Sequence, residues 1–170
     1  SNTSQSPGVD EVGTQDIVTI GCDLTADPVL RDVVCTLHYR VNSGSWSSKD
    51  MSQSRVGGSG HYSTTIGPFN YNNVVDYYIT ARGWYPDEYF GDPIFVTDED
   101  PTGAPSSYYS FTVHDELAPT LSDVYHMTKY PTTTSDTTIY ATATDNVGIQ
   151  SVVVYTKPVG GLWYTGHTLS

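Results

Sequence analysis

Apolar residues recur at every second position over most of this chain, a period that strands satisfy and helices do not. Val18, Ile20, Cys22 and Leu24 share one phase, with Thr19, Gly21 and Asp23 between them. Val33, Cys35, Leu37 and Tyr39 repeat the pattern after a turn at Asp27-Pro28. Successive side chains of a strand point to opposite faces, so this alternation marks strands with one face on a core and one in water. Further strands are expected at 61–69, 74–84 and 107–115. Composition agrees: β-branched and aromatic residues dominate, with 14 Tyr against 4 Phe, and long Ala/Leu/Glu/Lys stretches are missing. The chain is expected to be all-β.

The pattern occurs twice. "TADPVLRDVVCTLHYRVNSGSW" (25–46) is echoed by "TATDNVGIQSVVVYTKPVGGLW" (142–163). Aligning Ile20-Cys22-Leu24 with Ile139-Ala141-Ala143 places Asp27 over Asp145. After a two-residue contraction Leu37-Tyr39 falls over Val153-Tyr155, and Trp46 lies near Trp163. A tandem of one β-module follows, with strands of the second copy at 120–127, 136–144, 149–156 and 163–169. The boundary falls near 115–119, where Asp115, Glu116 and Pro119 suit a short, fairly stiff linker.

The pattern "D-x-x-AP…DNVGI-x-SVVVY…W", with "G-x-Y…YYI-x-A" and "YYSFTV" in the first copy, resembles bacterial and archaeal immunoglobulin-like or fibronectin type III-like domains of secreted and cell-surface proteins. The resemblance covers roughly 9–115 once and 118–170 in part. It implies two packed antiparallel sheets and an extracellular or cell-surface location. The expected organisation is a disordered or extended segment at 1–8 and a sandwich at 9–115 carrying a long loop at 84–106. A linker at 116–119 leads to a partial second sandwich at 120–170. Such a sandwich takes about seven strands, and the second copy supplies about four. The chain is therefore expected to be a fragment of a longer polypeptide, or else to be completed by strands of another chain.

Cys22 and Cys35 lie on the inward phase of consecutive strands, which in a sandwich of this kind belong to opposite sheets. A disulfide stapling the sheets is the expected state, and two small buried thiols are the alternative. Neither cysteine suits catalysis, since an inward thiol lacks access.

Charge is lopsided, with 7 Lys and Arg against 19 Asp and Glu, a net −12. Nucleic acid and anionic membrane both need a positive footprint and are disfavoured as partners. No apolar run is long enough to span a membrane, and no zinc-type Cys/His cluster is present. An acidic surface suits calcium. Asp98-Glu99-Asp100-Pro101-Thr102-Gly103 matches the opening of a calcium loop, with oxygens of Asp98, Asp100 and Thr102 at alternate positions and a glycine for the turn. Its twelfth position is Tyr109 rather than Glu, so outside ligands such as Asp92, Asp87 or Glu88 are needed. A second candidate is the junction, where Asp115 and Glu116 share an ion with Asp145. The bland readings are a solvated acidic loop and a simple Asp-Asn turn.

The aromatic stretch at 83–93 points elsewhere. Trp84, Tyr85 and Tyr89 beside Asp87, Glu88 and Asp92 suit stacking on sugar rings, against the alternative that they pack on the sandwich flank. The five histidines are scattered and no glycosidase-type carboxylate pair stands out. The expectation is a non-enzymatic extracellular structural or adhesive surface protein, such as a stalk, S-layer-like or filament component, stiffened by calcium. Its partners would be other Ig-like domains of the same or neighbouring chains. The alternative is a carbohydrate- or ligand-binding module of a larger secreted enzyme.

Overall fold

A computed structural model of the chain describes residues 2–53, 58–86, 91–127, 130, 132, 135–158 and 160–169. It is all-β among the described residues. The chain divides into two compact units, Ser1–Asp115 and Glu116–Ser170.

The first unit contains β1 (Asn2–Ser6), β2 (Val18–Leu24), β3 (Arg31–Val41), β4 (Ser47–Asp50), β5 (Ser52–Gln53), β6 (Gly60–Ile66), β7 (Val74–Tyr85), β8 (Ile94–Asp100) and β9 (Tyr109–Thr112). One antiparallel sheet has the order β1-β2-β6-β5. The other has the order β4-β3-β7-β8, with β9 also on β7. The two sheets share one core, in which Ile20, Cys22 and Tyr62 of the first meet Cys35, Leu37 and Ile79 of the second. The alternation read from β2 and β3 is thus realised as a buried inner face. Val12, fully buried, adds a plug from outside the sheets, and its carbonyl accepts the amide of His114. The N-terminal segment is extended: Asn2–Ser6 forms an edge strand on β2.

The expected long loop at 84–106 is replaced in part by strand. Trp84 and Tyr85 end β7, and Ile94–Asp100 returns along it in a continuous ladder from Tyr85↔Ile94 to Ile79↔Asp100. The physical reason is the run Ile94-Phe95-Val96-Thr97, whose β-branched and aromatic residues suit a pleated surface. β7 is 12 residues long, so β8 takes its C-terminal half and β9 its N-terminal half.

The second unit contains β10 (Thr120–His126), β11 (Ile139–Thr144), β12 (Val153–Thr156) and β13 (Thr165–Thr168). They form two separate antiparallel pairs, β10 with β11 and β12 with β13. None of its described residues is buried. Leu162 is 86% and Trp163 84% exposed, so this unit holds no closed core among the described residues.

Candidate functional site

The outer face of the larger sheet carries a groove beside a β-bulge. β3 pairs with β7 at Arg31↔Trp84 and again at Val34↔Arg82, so β3 spends one more residue than its partner between these points. Bulges of this kind bend a strand and re-aim a side chain. Asp32, inside the bulge, has φ of +45°, a left-handed conformation that Asp tolerates better than most residues. Its carboxylate Oδ2 accepts the indole N–H of Trp84 at 2.8 Å. One strand position along β7, two residues back, the guanidinium of Arg82 lies over the ring of Phe95 at 4.6 Å. Asp32, Val34, Arg82, Gly83, Trp84 and Phe95 line a groove of about 330 Å³.

Strand alternation separates Trp84 from Tyr85, neighbours at the end of β7. Tyr85 lies on the opposite face from Trp84, in a smaller cavity of about 190 Å³ with Leu24, Leu30 and Val33. Gly83 is also on that side, where Leu30 covers it so closely that a Cβ would stand 2.8 Å from the leucine side chain. Tyr89, with Asp87 and Glu88, lies outside the described residues.

The acidic motif at 98–103 does not form a calcium loop. Asp98 and Asp100 belong to β8, and Thr102 follows in the turn. The carboxylate of Asp100 is engaged within the fold: Oδ2 accepts from Thr3 Oγ1, and Oδ1 from the phenol of Tyr109 at 2.8 Å. It thereby ties β1 to β9. Burial and then this hydrogen bond push the Tyr109 phenol above its ordinary pKa. Among the described residues no group of three or more His, Cys, Asp or Glu is placed to hold a metal ion. Asp98 and Asp100 thus share one face of a strand, and the Asp100 carboxylate is already engaged by Thr3 and Tyr109.

The junction candidates divide between the units: Asp115 closes the first and Glu116 opens the second. Asp145 is built into its own turn. Its Oδ1 accepts the amides of Val147 at 2.8 Å and Gly148 at 2.9 Å, and these bonds, that from Gly148 first, hold its carboxyl below the usual range. The same turn occurs in the first unit, where Asp27 Oδ1 accepts the amide of Val29 at 2.9 Å.

Cys22 and Cys35 are both buried and present as thiols, on facing strands β2 and β3 of the two sheets. Each thiol is the leading influence on the other: their interaction eases ionisation of Cys22 and pushes Cys35 strongly up. Asp32, Arg82 and Phe95 had no signal of their own in the sequence. The one trace is the adjacent pair Val33-Val34, which breaks the alternation where the bulge begins. A comparison of the sequence with models of known protein families and with curated proteins finds no match.

Proposed function

We propose that this chain is a non-enzymatic structural or adhesive element of an extracellular surface, built from successive Ig-like β-sandwich units. The observation that carries the reading is the echo between the two units. β10 pairs with β11 and β12 with β13, as β1 pairs with β2 and β3 with β4. The turn after β2 and the turn after β11 are made alike, by Asp27 and Asp145. Repeating a module lengthens a chain without a new fold, which is what a stalk or filament needs, and a closed sandwich such as the first unit is a stiff segment. The low share of charged residues, 15%, with a net −12, suits a soluble acidic surface.

The partners implied are other Ig-like domains of the same or neighbouring chains. In the first unit, β2 and β3 each have a second neighbour, β6 and β7. β11 and β12 have no second neighbour among the described residues. Strand addition to such edges is an established mode of association.

Labelling of intact source cells with antibodies raised against residues 1–115 tests the location. Surface labelling is expected; labelling only after permeabilisation overturns the reading.

A further inference from the structure

We infer that the Asp32 bulge builds a binding site for a neutral sugar ring on the outer face of the larger sheet, with Trp84 as the stacking platform. The first argument is conformational. A non-glycine residue at φ of +45° within a strand is disfavoured, and such residues persist where the surrounding structure holds them. Here the result is that Asp32 fixes the indole of Trp84 through its N–H, leaving the ring face to the groove.

The second argument is the company the indole keeps. Val34 is 48% and Phe95 56% exposed, so apolar surface stays in water beside a pinned aromatic ring. Apolar walls with a few converging polar groups, in a volume near 300 Å³, are the usual form of a small-ligand site.

The third argument is charge. The groove carries one carboxylate, Asp32, and one guanidinium, Arg82, so it favours neither ion, and the net −12 of the chain opposes anions. An acceptor and a fork of donors lining one groove match adjacent hydroxyl groups, which both donate and accept. A pyranose ring presents such hydroxyls at its edge and C–H groups on its face, and the latter stack on indole. The site supplies the adhesive reading with a ligand, and rests on it only for where that ligand is met.

The test uses the full 170-residue chain with four neutral probes: β-glucan, mannan, galactan and chitin oligomers. Binding is read by tryptophan fluorescence and affinity electrophoresis. At least one probe is expected to bind with a Kd of about 1 mM or tighter. Trp84→Ala should weaken it by about tenfold or more, and Arg82→Gln and Asp32→Ala several-fold, whereas Trp163→Ala should leave it unchanged. Melting curves accompany every variant; Trp84→Phe and Phe95→Ala replace Trp84→Ala should that variant fail to fold. Absence of binding to all four probes, or binding that survives loss of Trp84 or tracks Trp163, overturns the site. Surface labelling without sugar binding removes this inference alone; sugar binding by a protein confined inside the cell removes the surface reading alone.

Discussion

Cys22 of β2 and Cys35 of β3 face each other in the core between the two sheets of the first unit, and their interaction eases ionisation of Cys22 while opposing that of Cys35. Both are buried, and both belong to the inner faces that make the core. The pair is placed to close a short loop between β2 and β3 upon oxidation. In the chain-entropy view such a loop contributes about 3 kcal/mol. Protein recovered under oxidising conditions is expected to be 2 Da lighter than the dithiol, through loss of about two hydrogens on forming one bond. Reduction should then lower Tm by roughly 10 °C. Intact mass and melting with and without reductant decide it, and equal melting curves would leave the two sulfurs as packed thiols only.

Asp76 is the buried anion of the larger sheet, and Arg40 answers it at 2.8 Å from the paired position on β3. Ser110 donates to the other carboxylate oxygen at 2.9 Å. The guanidinium also lies over the rings of Trp46, at 4.5 Å, and Tyr108, at 4.8 Å. Removing one member leaves the other charge uncompensated, so Asp76→Ala should cost about 3 kcal/mol in urea unfolding. Replacing both, Arg40→Met with Asp76→Leu, should cost less than the single change. A single-variant loss below about 1 kcal/mol would place the pair with ordinary surface bridges.

His38 stacks on Tyr78 with ring centroids 4.6 Å apart, and its two nitrogens reach Ser48 and Thr80. Burial lowers its pKa below the ordinary imidazole value. The unfolded chain therefore takes up this proton more readily than the folded one. The contribution to stability is complete above about pH 6.5, declines as pH falls through that value, and levels off below the folded pKa. His38→Gln should flatten this part of the pH–Tm curve. NMR titration of the His38 ring gives the direct check, and a midpoint above that of a free imidazole would contradict it.

Chelation is expected to leave the melting temperature unchanged, since the Asp100 carboxylate is already engaged by Thr3 and Tyr109. A fall in Tm with EDTA that calcium restores would show that other carboxylates bind the ion.

Every buried residue described lies at or before Val113. Residues 1–115 alone should therefore unfold cooperatively at close to the Tm of the whole chain. Residues 116–170 alone should show no cooperative transition, as expected of strand pairs without a core. Calorimetry of the two pieces settles this; a sharp transition in the second piece would contradict it.

The β class was legible in the sequence because alternation is a local property. One face of each strand must leave water, and the period of two records it without reference to any partner. The paired telling of Asp27 and Asp145 was legible for the same reason, since an Asp side chain bonding the amide two residues on needs only its own turn. The aromatic and acidic segment after Tyr85 was not. It reads equally as a loop, and its strand exists only because β7 offers an edge long enough for both β8 and β9.

What tertiary structure alone decided is which side chains meet. Trp84 and Tyr85, adjacent in sequence, fall on opposite faces once β7 forms, while Asp32 reaches Trp84 across 52 positions through a one-residue bulge. Asp100 leaves the calcium motif to hold Thr3, 97 positions away. Periodicity specifies a face; the register between strands, set by the whole sheet, specifies the neighbour, and one extra residue in β3 suffices to change which carboxylate stands beside which ring.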